Sequence, residues 1–306
     1  MSKKGNDFWK SLAAPFFAFM IQQGISIMWM EAYLGYKLAT FESGNYMDYI
    51  MGIADEMMNA DTLAWMSLVY ALICTVWFSV WYYRLKYHLP KEEGHGPAMV
   101  RDRAVEVADR QRGLFEGYSW TIIPGIILLA FGGQYVINFF AEFLGSLIPA
   151  WYDFYENLMR TAGLDDTAKM GVPLFLYAVI LGPVCEELTF RGLCYNYARR
   201  SMGFWAANLI SSIAFGVMHM NPLQSAYAFI VGLVLGAVYE KSRNIFVTMA
   251  IHITFNFSPV ILANFMYMGD TPFTYFVTLL ISLLVAYVGY ELVIRAIPKH
   301  IDIEIR

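Results

Sequence analysis

Three short polar sets stand inside apolar sequence: Glu186, Glu187 and Arg191 within 185–191, His219 closing 215–219, and His252 with Asn256. Groups of these types do hydrolytic or proton-transfer chemistry. Paired carboxylates divide acid and base roles, imidazole passes a proton near neutral pH, and guanidinium or amide donors steady negative charge. The first set is costly where it stands. A charge at mid-bilayer costs roughly 2.5–3.5 kcal/mol, so three unpaired charges cost on the order of 8–10 kcal/mol. Helical spacing puts Glu187 and Arg191 on one face, placed for an ion pair, and turns Glu186 away by about 100°. One carboxylate can then neutralise Arg191 while the other faces a cavity. Taken alone, an interhelical salt bridge explains the triplet equally well. The histidines shift the balance: His219 precedes Asn221 and the helix-breaking Pro222, and His252 shares a helical face with Asn256. A lone histidine in an apolar helix is usually a packing residue. Two of them beside a carboxylate pair, an arginine and an amide in one apolar region point to a site.

The elements that must hold these groups are membrane helices. Of 306 residues 58% are hydrophobic and 15% charged, with a mean hydropathy of +0.47. A soluble domain carries about 25% charged residues. Apolar blocks near bilayer length fall at 12–33, 63–83, 120–144, 171–190, 203–218, 223–239, 245–265 and 273–294. The expected fold is an all-α polytopic transmembrane bundle of about eight spans. An inside N-terminus puts 18 of the 21 Lys and Arg in cytoplasmic segments, leaving Lys37, Arg160 and Lys169 outside. That bias predicts both termini in the cytoplasm. The segment 84–119 reads as a cytoplasmic loop with a surface helix over 101–112, and 36–61 and 151–169 as acidic outer loops. Gly232 and Gly236 are spaced for close helix packing, and Pro124, Pro173 and Pro183 are candidate kinks. Cys74, Cys185 and Cys194 form no Cys-x-x-Cys pair and read as buried hydrophobes. Lys3, Lys4 and Lys10 precede an apolar run without a following small-residue cleavage site, so that run reads as a retained helix.

Taken in order, Glu-Glu-x-x-x-Arg at 186–191, Phe-x-x-x-His at 215–219 and His-x-x-x-Asn at 252–256 resemble the signature of the CAAX protease and bacteriocin-processing (Abi) family of glutamate-dependent intramembrane proteases. The resemblance spans about 172–265 and implies peptide hydrolysis by a glutamate-activated water, with no cofactor and no obligatory metal. Glu186 is then the general base, Glu187 the partner of Arg191, His219 a second ligand of the water, and His252 with Asn256 the oxyanion side. A zinc site built from Glu186, His219 and His252 is the lesser alternative, because the His-Glu-x-x-His helix of zinc proteases is missing. No serine nucleophile motif or Gly-x-Gly-Asp aspartyl motif is found either. The implied substrate is a peptide or membrane-anchored protein in the lipid bilayer of a bacterial cell, with no nucleic acid.

This division makes 1–170 an N-terminal membrane region, 171–265 the protease core and 266–306 a C-terminal span with a short tail. A non-catalytic scaffold or bacteriocin-immunity protein, and a transporter, are the competing classes. One tension follows from the block boundaries. Glu186 falls near the cytoplasmic end of the fourth block, whereas His219 ends the fifth on the far side. Unless 203–218 crosses only part of the bilayer, the two cannot meet. His219 is therefore expected within the membrane, in a cavity open to the cytoplasm.

Overall fold

In a computed structural model, residues 3–41, 43, 45–57, 59–87, 116–166, 169–262 and 267–298 are described. The surface helix expected over 101–112 lies outside them. Among the described residues there are helices and no strands, and seven helices are long and apolar enough to cross a membrane. The chain is an integral multi-pass membrane protein. Its elements are α1 (Lys3–Ala39), α2 (Tyr46–Met57), α3 (Ala60–Tyr87), α4 (Ile122–Leu147), α5 (Pro149–Thr161), α6 (Val172–Ser201), α7 (Phe204–Val217), α8 (Pro222–Ser242), α9 (Ile245–Leu262) and α10 (Pro272–Ala296).

The boundaries follow local chemistry. Proline opens α5, α8 and α10, where its missing N–H is not needed. Asn221 caps α8 by accepting from the Gln224 N–H, and Thr271 and Thr274 form a reciprocal capping pair at α10. Helix α8 ends at Arg243, a left-handed residue at φ 50°.

Two structural corrections bear on the site. The fourth span does not stop at residue 190. It continues to Ser201, and Arg191, counted above among cytoplasmic charges, lies fully buried within it. The fifth apolar block forms only α7, of 14 residues. At 1.5 Å per residue that is about 21 Å, short of a hydrocarbon core of about 30 Å. The turn 218–221 joins α7 to α8, which at 21 residues is about 31 Å long and can cross.

The bundle has two chemically distinct ends. Tyr195 donates to Glu240, Asn196 to the Tyr239 hydroxyl, and the Ser119 N–H to Ala296, so the ends of α6, α8, α10 and the start of α4 gather together. Arg84, Lys86, Arg199, Arg200, Lys241, Arg243 and Arg295 belong to this basic end. At the opposite end Lys37 pairs with Glu56, and Gly163 approaches Ala60 and Leu174. Asp48, Asp61, Asp153, Glu156, Asp165, Asp166 and Asp270 gather there.

Close seams hold the helices. In α7 and α8 the Gly232 and Gly236 faces receive Ser212 and Asn208, and Asn208 donates to the Leu233 carbonyl at 3.0 Å. A Cβ on Gly289 would strike the Leu129 backbone, so α10 and α4 are equally close. Helix α1 enters the core through Ala14 and Ala18, against the basic half of α6. All three cysteines are buried and unbridged.

Because a Cβ at position 236 would overlap the Asn208 amide, Gly236→Ala should cost about 1–3 kcal/mol by overpacking. Thermal unfolding in detergent reads this as a lowered Tm. Gly24→Ala, at a site with nothing within 4 Å, should leave Tm unchanged or raise it.

Candidate active site

Helix α6 is not a uniform α-helix around the carboxylates. The stretches Leu176–Leu181 and Leu188–Tyr195 are wound with π geometry, and Gly182–Glu187 between them is α-helical. Pro183 explains part of this. The Gly182 N–H bonds to Tyr177 O, five residues back, instead of Ala178 O. The next N–H that a π turn would aim at Ala178 O belongs to residue 183, and proline has none. Ala178 O is thus left without a helical partner, and the Asn256 side chain of α9 donates to it at 2.9 Å. Further along, Asn196 donates to the Arg191 and Gly192 carbonyls, and Ser211 of α7 donates to Phe190 O.

These irregular turns present the charged residues as follows. Glu187 is fully buried; its Oε1 accepts from Arg191 Nη1 at 2.6 Å and from His252 Nδ1 at 2.9 Å. Arg191 is also buried and donates through Nη2 to the Gly232 carbonyl at 3.2 Å. Its guanidinium lies 4.7 Å from the centre of the Phe215 ring. The remaining face of His252 turns to Glu186, with Nε2 3.5 Å from Oε2. Glu186 itself is 28% exposed, against 0% for Glu187. The two carboxylates are therefore unlike: one is locked in the bundle and the other is open.

His219 meets the group through Phe215. The Phe215 ring stands edge-to-face with His219 at 5.0 Å and with His252 at 5.6 Å. His219 Nδ1 lies 2.9 Å from Phe215 O. A carbonyl only accepts, so Nδ1 carries the hydrogen and Nε2 keeps its lone pair for another partner.

The depth conflict raised by the sequence is removed by chain length. From Glu186 to the end of α6 is 15 residues, and from the start of α7 to His219 is also 15. Both rise about 20 Å from the basic end. Arg191 and Gly232 each lie 10 residues from the basic ends of their helices, Ser201 and Ser242, which agrees with their hydrogen bond.

All six residues singled out by the sequence lie in this neighbourhood. Glu186, Glu187, Arg191 and His252 form one contiguous group, His219 joins through Phe215, and Asn256 secures the turn before the carboxylates. Phe215 was legible only as a motif letter, and Ser211 and Asn196 carried no sequence signal of their own. Among the described residues no three His, Cys, Asp or Glu side chains are grouped to hold a metal ion.

Comparison with known proteins falls on the same part of the chain. Residues 168–258 match the family model of the type II CAAX prenyl endopeptidase Rce1-like proteins. The matched segment contains every residue of the group above, and the match supports the resemblance to the CAAX protease and bacteriocin-processing (Abi) family. Over 136 residues the chain is 24% identical to the "Putative membrane peptidase YdiL" of Bacillus subtilis (strain 168), covering 44% of this chain and 56% of that protein. Over 105 residues it is 30% identical to the uncharacterized protein YpbD of the same organism, covering 32% and 51%. The chain thus spans about half the length of the curated relatives it matches. No solved structure matches it.

Removing one partner of the buried pair strands a charge. Arg191→Ala should cost about 3–5 kcal/mol, read as a fall in Tm in detergent. The double variant Glu187→Gln with Arg191→Met, which removes both charges, should recover much of that loss. An unchanged Tm for Arg191→Ala would show that the pair is not structural.

Proposed function

We propose that the chain is an intramembrane endopeptidase that hydrolyses a peptide bond of a membrane-associated protein or peptide through a water activated by Glu186. The observation that carries this reading is the asymmetry of the carboxylates. Glu187 is spent on Arg191 and His252, while Glu186 is partly exposed beside an imidazole.

In the proposed mechanism Glu186 removes a proton from water as the oxygen attacks the scissile carbonyl carbon. His219 Nε2, left as an acceptor by the Nδ1 contact to Phe215 O, takes a hydrogen bond from the same water and aligns it. As the carbonyl becomes tetrahedral, its oxygen gains negative charge. In this reading the donors that meet that charge are the Asn256 amide hydrogen not given to Ala178 O and His252 in its imidazolium form, whose Nε2 then carries a hydrogen while Nδ1 donates to Glu187. The proton held by Glu186 passes to the leaving nitrogen and the C–N bond breaks, giving a carboxylic acid and an amine, which then exchange a proton to become carboxylate and ammonium. Glu187 and Arg191 support this from behind by fixing His252. In this reading 171–265 is the catalytic core, and 1–170 and 266–306 shape access to it.

Purified protein in proteoliposomes, supplied with candidate membrane peptides, tests the assignment. Glu186→Gln should lower kcat by about 10²–10⁴, the range of a general base, without lowering Tm. His219→Ala should also lose rate. A chelator should leave wild-type cleavage unchanged, whereas loss and rescue by zinc would move the reading to a metal mechanism. Undiminished cleavage by Glu186→Gln would refute it.

A further inference from the structure

Asn221 is polar, buried and unused by the chemistry assigned above. It is 1% exposed, whereas its chain neighbours Met220 and Pro222 are exposed, so the turn 218–221 keeps this side chain inside the protein. The backbone identifies its carbonyl end. The Gln224 N–H can only donate, so the side-chain atom 3.1 Å from it is Oδ1. That contact caps α8 and leaves Nδ2 on the other side of the amide. Among the described residues the buried Nδ2 hydrogens meet no acceptor, and a buried donor without a partner is uncommon and costly. Met220 beside it, at φ 53°, holds a left-handed conformation that residues other than glycine rarely adopt. Capping alone does not call for this arrangement, since serine caps a helix as well and leaves no amide over.

The face that Asn221 occupies leads to the carboxylate group. Ala228 and Gly232 follow it by seven and eleven residues, within about 20° of the same side of α8. Ala228 packs on Phe190 and Phe215, and the Gly232 carbonyl receives Arg191. Asn221 thus heads the stripe of α8 that is turned to α6. It also follows His219 by two residues, so their Cα atoms are at most about 7.6 Å apart. An extended peptide advances about 3.3 Å per residue. A peptide bond at the water held by His219 therefore has its next carbonyl groups within the span that separates His219 from Asn221.

We propose that Asn221 holds the substrate: its Nδ2 donates to a main-chain carbonyl one or two residues from the scissile bond. The need arises from the medium. A helical amide is shielded by its own hydrogen bonds, so a peptide cut inside the bilayer is first unwound. Each carbonyl that loses its helical partner there requires a donor from the protein. Asn256 meets that need within the bundle itself, for Ala178 O. Asn221 meets it for the substrate, with an amide whose orientation Gln224 fixes in advance. A neutral amide suits a neutral carbonyl oxygen, where a phosphate or carboxylate calls for a cation. The ligand is therefore an unwound peptide segment and not a lipid headgroup. The word scissile rests on the hydrolase reading; the contact with a peptide carbonyl does not.

The test separates the two. The full chain in lipid nanodiscs is given a fluorescent polyleucine peptide of membrane-spanning length, broken by a central Gly-Pro step. A matching set replaces one main-chain amide at a time by an ester, whose carbonyl is a weaker acceptor. Asn221→Ser keeps a capping oxygen and removes the amide, so Tm should stay near that of the parent, whereas Asn221→Ala should lower it. In the Glu186→Gln background, adding Asn221→Ser should weaken binding of the peptide about three- to tenfold, the range for one neutral hydrogen bond. One ester position should weaken binding to Glu186→Gln and have no further effect once Asn221→Ser is present, a coupling that a capping role does not produce. Where the wild type cleaves the peptide, Asn221→Ser should raise KM by the same factor with kcat nearly unchanged. Equal Kd with and without Asn221→Ser, ester effects that simply add, or no binding of the peptide overturns the proposal. Absence of cleavage by the wild type, with the binding results as expected, removes the hydrolase reading and leaves the contact standing.

Discussion

A fully buried ion pair, Glu187 with Arg191, is the contact on which the remaining geometry depends. Two charges taken out of water are tolerable only when each is matched and hydrogen-bonded, and here the matching recruits three other helices. Arg191 takes a carbonyl from α8 and an aromatic face from α7, and Glu187 takes a histidine from α9. The pair therefore fixes the mutual positions of α6, α7, α8 and α9. That arrangement leaves Glu186 beside His252 with part of its surface open. A protein that needed only to close a gap between helices could do so with apolar side chains at lower cost.

The backbone of α6 contributes as much as its side chains. A regular helix satisfies its own carbonyls and offers nothing to neighbours. The π turns and Pro183 interrupt this self-sufficiency next to the carboxylates, and Asn256 bonds the carbonyl that loses its partner. Single-turn π segments recur at functional sites, and here the physical reason is visible: a helix with an unmatched acceptor is a helix that another helix can grip. Gly182 permits the turn, since a Cβ there would lie 2.8 Å from Tyr177 O.

Much of this was legible in the sequence. The apolar blocks identified the bundle, the i to i+4 spacing identified the Glu187–Arg191 pair, and the short block before Asn221-Pro222 matches the 14-residue helix α7. What could not be read was how far α6 runs beyond Glu186, to Ser201. Hydropathy treats Arg191 as the end of a span, because it assigns the residue its cost in lipid and cannot see that Glu187, Gly232 O and Phe215 offset it. The basic residues beyond, Arg199 and Arg200, mark the true end. Contacts such as Ser211 to Phe190 O or Tyr155 to Tyr227 join residues of ordinary composition across long sequence separations, and a single sequence has no pattern for them.

The short helix α7 also shapes its surroundings. Trp205, Leu209, Ile213 and Val217, four residues apart in turn, form an exposed apolar stripe along its length. Acyl chains beside that stripe meet a wall of about 21 Å, some 9 Å less than an unperturbed hydrocarbon layer. A bilayer meets a short apolar wall by thinning locally, while α8, joined to α7 by 218–221, is long enough to cross at full thickness. The two arms of one hairpin therefore make different demands on the lipid beside them.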